Sequence, residues 1–367
     1  MGVEIAIAAG KVVFLLLLIV LQVVGMGVFF ERKVSAVIQD RIGANRASIF
    51  GFAGLGLINT LVADPVKFLL KEDVVPAGVD RTLHFWAPII GLMPALVAFA
   101  VIPFGDVVEI AGRTIDLQVA KLDVGVLFVL AMASLGVYGV VLGGWASNNR
   151  WSLLGGIRGS AQMISYEIAM GLGLVAVVLT YGTLDLQEMV RQQGGRIWGW
   201  LPAWGIFYQP LGMIILLVAG IAESKRIPFD LPESESELVS GYFTEYSGAK
   251  HLMFMMADFV EVVLVAALVT TFFLGGWQFP FLGRGGFDFP GGTHVALPSI
   301  VVALLQITAF TVKLIVMTLF QIVVRWTLPR FRYDQLMHLG WKGLLPLALA
   351  NVMLTAGFVL WLGGGPS

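Results

Sequence analysis

The sequence predicts an all-α polytopic membrane protein, with about eight transmembrane helices and an interfacial amphipathic helix in the first long connection. Three observations predict it. Hydrophobic residues make up 58% of the 367-residue chain and charged ones 13%, where an ordinary soluble domain carries about 25% charged residues. Glycine occurs 44 times, as suits closely packed membrane helices. Apolar runs of the length needed to span a bilayer, about 20 residues, recur near 11–30, 86–104, 123–145, 161–181, 207–222, 253–275, 297–324 and 343–363.

The start, MGVEIAIAAGKVV, has no basic n-region and no small-residue cleavage site, so it reads as the approach to a retained first helix. The connection after that helix, 31–83, is not a plain loop. Its segment IFGFAGLGLINTLVADPVKFLLKE, 49–72, is apolar but broken by Asp64, Pro65 and Lys67, which suits a helix lying at the interface better than a ninth span. Thr60, Asp64, Lys67 and Lys71 share one helical face. That stripe either meets lipid headgroups or faces a polar cavity. The fifth run, 207–222, is short, and the seventh, 297–324, is long enough to tilt.

The basic residues orient the chain. Sixteen of the 23 fall in the odd-numbered connections and six on the other side, with Lys313 inside a span. The positive-inside rule places the odd connections in the cytoplasm and both termini outside. The whole chain, 1–367, then forms one membrane domain, with cytoplasmic connections at 31–83, 223–252 and 325–342.

Composition also excludes functions. A net charge of -1 leaves no basic stripe for nucleic acid. With no cysteine and only His84, His251, His294 and His338, the chain offers no thiolates for an iron-sulfur cluster and no evident haem or zinc site. Electron chemistry falls to partners.

Acids placed where a membrane helix meets water point to ion handling, because a charge at bilayer depth costs several kcal/mol. Segment 222–248, AESKRIPFDLPESESELVSGYFTEYSG, carries Glu223, Glu233, Glu235 and Glu237 between two spans. The last three alternate, so an extended chain would turn them to one side, whereas a helix would spread them. Pro228, Phe229, Leu231 and Pro232 interleave the acids with stiff and apolar residues, the pattern of a packed surface. Inside the spans lie Glu167, Asp258 and Glu261. The last two stand three apart on one helical face and would repel one another if both were ionised. Such groups form either a proton relay or a structural pairing of buried charges. In RWTLPRFRYDQLMHLGWKGLLP, Arg325, Arg330 and Arg332 flank a proline turn beside aromatic residues, as membrane anchors do.

Four segments carry a resemblance: ERKVSAVIQDRIGANR at 31–46, RGSAQMISYE at 158–167, the acidic segment at 222–248 and RWTLPRFRYDQLMHLGWKGLLPLAL at 325–349. Together they are similar to the H subunit family of respiratory complex I, the proton-pumping NADH:quinone oxidoreductase. The resemblance implies an eight-helix subunit of a bacterial inner membrane that forms much of the quinone-access chamber. It begins an acidic relay coupling quinone reduction to proton translocation. It implies FMN and iron-sulfur clusters in partner subunits and none here. Its partners would be the peripheral-arm quinone-site subunits and the small membrane subunits leading to antiporter-like ones, with quinone as substrate.

By motif, the resemblance assigns Asp64, Glu167, Glu223, Glu233, Glu235, Glu237 and Asp258 to the relay, and Glu261 joins them as a compensation for the shorter Asp258, since the family pattern has no counterpart for it. It assigns Arg32, Arg41, Arg46, Asp64, Lys67, Arg226, Phe229, Arg325 and Arg330 to the chamber. The chain departs from the family's Gly-Pro-Asn-Arg-Val-Gly at Gly43–Ser48, and has Asp258-Phe259 where a Glu-Tyr pair is usual. A membrane anchor of a related hydrogenase or ferredoxin-linked complex, and a self-contained ion transporter, are the competing readings. The second would need two related helix bundles, and the chain has no evident internal repeat.

Overall fold

Long helices run back and forth between two ends of the molecule. The computed structural model describes residues 2–44, 56–110, 112–197, 201–288 and 294–361. Helix α1, Gly2–Lys11, continues through a π-type stretch, Val12–Val20, into α2, Leu21–Ile38. After α3, Gly56–Leu70, come α4, Arg81–Ala98, α5, Gly125–Ala146, and α6, Arg150–Tyr181. Short α7, Leu186–Gln192, and α8, Gly205–Tyr208, precede α9, Pro210–Glu223, and the one-turn α10, Glu235–Leu238. The chain ends with α11, Gly248–Phe273, α12, Ser299–Thr327, α13, Tyr333–His338, and α14, Leu345–Trp361.

Six helical stretches among the described residues are long and apolar enough to cross a membrane: 81–101, 125–146, 150–181, 248–273, 299–327 and 333–361. The other two expected spans take different forms. The first lies in the helical run interrupted at Val12–Val20, and the fifth, α9, has 14 residues, about 21 Å at 1.5 Å per residue.

Local chemistry sets the helix ends. The Asp80 carboxylate accepts from the backbone N–H of Thr82 and Leu83 at the start of α4, and the Asn149 side chain from Trp151 N–H at the start of α6. Gly182, at φ 66°, stops α6 in the left-handed backbone glycine adopts without penalty. Where α4 crosses α5 the backbones nearly touch: a Cβ on Gly139 would sit 2.5 Å from the Gly91 Cα.

α11 is the hub. It packs on α2, α3, α4, α9 and α12, and its residues from Val262 to Phe273 are all buried. At the end opposite the acidic segment, short antiparallel strands cover the helices: β1, Val107–Ile110, with β2, Arg113–Asp116; β3, Arg196–Ile197, with β4, Leu201–Pro202; and the meander β5, Leu282–Gly283, β6, Gly286–Asp288, β7, His294–Ala296. Buried Asp106 ties this cover together, pairing with Arg191 at 2.8 Å and Arg284 at 2.7 Å. Burial pushes its carboxyl up, but these two bonds win and hold it below the usual carboxylate range.

Candidate functional site

A cavity of about 440 Å³ lies between α2, α3 and α11. Its walls are mostly apolar, with Val28, Leu61, Phe68, Met255, Met256 and Phe259 among them, and Arg32 and Asp64 form its charged end. The Arg32 guanidinium donates to the Asp64 carboxylate at 2.6 Å. Asp64 therefore turns inward from α3, whereas Lys67, one turn on, is exposed and not part of the wall. Arg41 is exposed and donates to Gln39 Oε1 at 2.7 Å. Arg46 lies outside the described residues.

Phe259 joins the cavity to a buried charged layer. The Arg226 guanidinium sits over its ring, 4.2 Å from the centroid, a cation–π contact. Phe259, Arg226, Glu31, Arg325 and Ser224 line a small void beside it, and Arg325 pairs with Glu31. Arg330 donates to the Asp230 backbone carbonyl. Arg226 Nε, Arg325 Nε and Asp230 Oδ1 are buried without a hydrogen-bond partner among the described residues, which marks the layer as one built to meet water or another molecule. Burial pushes the Asp230 carboxyl up to about 6 against the pull of Arg330 and Arg325. It pushes the Glu233 carboxyl up to about 8, aided by the charge of Asp258 and opposed by Arg226.

From Glu233 a run of acids leads inward. Its carboxyl faces that of Asp258. The Tyr242 hydroxyl lies 3.5 Å from Asp258 Oδ1 on the same side. Lys225 Nζ then touches both Asp258 Oδ1, at 3.1 Å, and Glu261 Oε2, at 2.7 Å. Beyond Glu261 a void of about 20 Å³ is lined by Glu223, Ser224 and Glu261 among apolar neighbours, room for one water with polar partners. Glu167 accepts from the Ser134 hydroxyl, and its charge reaches Glu223.

Lys225 is the buried charged side chain of this run that sequence reasoning missed. It counted only as one more basic residue of a cytoplasmic loop, yet it is 2% exposed. Helical periodicity brings Asp258 and Glu261 to one face, but the cation between them arrives from another element, at φ 54° in a turn.

Two other expected residues fall elsewhere. Glu237 is half exposed and pairs with Arg158 at 2.6 Å, which holds its carboxyl below the usual range. Glu233 turns inward to Asp258 whereas Glu237 turns out to Arg158, so the two do not share a side. The Glu235 side chain lies outside the described residues. Phe229 is buried against Tyr166 and Phe331 and is not part of the cavity wall.

The family model described as NADH dehydrogenase matches residues 10–356. The chain is 48% identical to an NADH-quinone oxidoreductase H subunit of Geobacter sulfurreducens, over 97% of each chain. It is 46% identical to an H subunit of the same enzyme from Geobacter metallireducens over 98% of each, and 44% identical to the one from Thermomicrobium roseum over 95% of each.

Proposed function

This chain belongs to the H subunit family of NADH-quinone oxidoreductase, and from that premise we propose that it forms the quinone-access chamber of a proton-pumping complex and the first part of its acidic relay. The observation that carries this reading is continuity. One apolar cavity with a single ion pair at its charged end connects, through Phe259 and Arg226, to a run of buried carboxylates reaching Glu167. An apolar molecule with one polar end suits such a cavity. A quinone has that form.

In this reading the chain carries no electron centre. FMN and iron-sulfur clusters sit in peripheral subunits, which complete the headgroup site beside Arg226, Arg325 and Arg330. Small neighbouring membrane subunits continue the path from Glu167 toward antiporter-like subunits. Both termini lie outside a bacterial plasma membrane, with the acidic segment in the cytoplasm.

Reduction of the quinone demands protons and passes through anionic forms. A unit charge about 8 Å from a carboxylate shifts it by roughly 2 kcal/mol at an effective dielectric near 20, about 1.5 pKa units. That is enough to change the occupancy of Glu233, whose carboxyl already stands at about 8, and several such shifts in series drive a conformational step.

The test is purification of the tagged chain with its partners from native membranes. The expected particle contains flavin and iron-sulfur clusters and reduces a short-chain quinone with NADH, sensitive to quinone-site inhibitors. A particle with hydrogenase activity instead would assign the chain to a related complex, and a lone chain exchanging ions in vesicles would overturn both.

A further inference from the structure

We propose that Lys225 is the gate of the acid run, an ammonium group that passes between Asp258 and Glu261 and so limits the run to one proton at this point. The inference rests on the relay reading above. Its ground is that one buried cation touches two carboxylates belonging to opposite sides of the path.

Asp258 faces the cavity side, toward Glu233, Tyr242 and Arg226. Glu261 faces inward, toward the void it shares with Glu223 and, past it, Glu167. Lys225 stands between, nearer to Glu261 at 2.7 Å than to Asp258 at 3.1 Å. Its reach is fixed from the backbone. The chain turns through a left-handed residue at Lys225, so adjacent cations diverge: Lys225 points to the acids and Arg226 to the Phe259 ring.

Charge accounting sets the behaviour. With both carboxylates ionised the three groups total -1, and with one protonated they total zero. Protonating both would leave a buried ammonium without a counter-ion, the costliest arrangement available to the site. A proton reaching Asp258 from Glu233 releases the ammonium to Glu261. When that proton moves on to Glu261, the ammonium returns to Asp258, so the pair holds one proton at a time. Lys225 thus acts as a positioning residue that keeps the two acids from being protonated together, without itself losing a proton.

Glu261→Gln tests this directly, because the Lys225–Asp258 pair remains and charge balance is kept. In the complex reconstituted into vesicles, E261Q is expected to retain inhibitor-sensitive quinone reduction within about twofold while protons pumped per NADH fall by half or more. Lys225→Met is expected to uncouple in the same way and to shift the pH optimum of pumping, because Asp258, Glu261, Glu223, Glu233 and Glu167 then face one another without the cation. Lys225→Arg is expected to restore the ratio in part. Wild-type pumping ratio and pH profile in E261Q would overturn the gate and leave Lys225 a structural counter-ion. Failure of the proposed function reads differently: the wild-type complex itself would not couple quinone reduction to pumping.

Discussion

Arg32 and Asp64 meet at 2.6 Å, a guanidinium on α2 against a carboxylate on α3. The two helices touch along a wall that is otherwise mostly apolar, so this pair is the charged feature of the cavity's described lining. Both side chains are partly exposed, at 49% and 34%, and such pairs contribute at most about 1 kcal/mol to stability. Its importance is local: it fixes where a polar group can sit in the cavity.

Asp64→Asn should therefore leave assembly intact and slow quinone reduction. On the chamber reading, losing one charge-assisted contact at the polar end of the cavity is worth about tenfold in rate, or about 1.4 kcal/mol. The check is NADH:quinone activity against NADH oxidation by a soluble acceptor that bypasses quinone. Equal losses in both would place Asp64 outside the quinone path.

Filling the cavity tests its use independently of charge. Val28 lines it from α2, and Val28→Trp adds bulk into the cavity while removing no charge. The expected outcome is a rise of about tenfold in the apparent KM for a long-chain quinone, equivalent to about 1.4 kcal/mol of binding, with weaker inhibition by quinone-site inhibitors. An unchanged KM would mean that quinone does not pass between α2, α3 and α11.

Glu233 gives the pH dependence a sign. Its carboxyl is pushed up to about 8 by burial first and by Asp258 second, against an ordinary value near 4.3 in the unfolded chain. The folded protein thus holds a proton that the unfolded chain releases, so the stabilising contribution is full below the unfolded value and is lost as pH rises through about 8. Thermal unfolding midpoints should fall between about pH 5 and 8 and level off above, and Glu233→Gln should flatten that slope. A slope unchanged in the variant would assign it to other groups, with Asp230, at about 6, the next to test.

The long helices were legible in the sequence to within a few residues where hydropathy alone decides them, as at 123–145 against Gly125–Ala146. α6 was not: it starts at Arg150, eleven residues before the apolar run. Its first turns read as polar, but Gly155 packs against the Pro232 carbonyl and the Tyr242 N–H, and Gly159 against the Pro232 ring, contacts that hydropathy does not encode. Within the site, spacing along one helix put Asp258 and Glu261 together. It could not pair Asp64 with Arg32, or bring Lys225 to the acids, because those partners come from other elements and depend on how the chain turns.

Close helix crossing makes a sharp contrast between two glycines. Gly139→Val should break the α4–α5 contact, since its Cβ would meet Gly91 backbone atoms at 2.5 Å and backbone cannot rotate away as a side chain can. Overpacking of this kind costs about 1–3 kcal/mol. Gly171→Ala meets nothing within 4 Å and should raise stability slightly, by about 0.5–1 kcal/mol through helix propensity. Thermal shifts of the purified complex separate the two, and equal effects would place the helices farther apart than the Gly91–Gly139 approach.

Lys313 anchors the far end of the same helix that carries Asp258 and Glu261. Its Nζ donates to three backbone carbonyls, Leu274, Gly276 and Gln278, at 2.7, 2.9 and 2.7 Å, and lies 4.5 Å from the centre of the Trp204 ring. Those carbonyls follow the C-terminus of α11, where the helix dipole favours a cation. Lys313→Met keeps the aliphatic stem but leaves the carbonyls without their donor, a loss of about 2–3 kcal/mol. Lys250→Met is the control, because Lys250 pairs with a half-exposed Asp73 and should cost at most about 1 kcal/mol. The measurement is the melting temperature of the complex for each variant. If the Lys313 variant melts no lower than the Lys250 variant, the three bonds do not hold the end of α11, and the charge of Lys313 must act elsewhere.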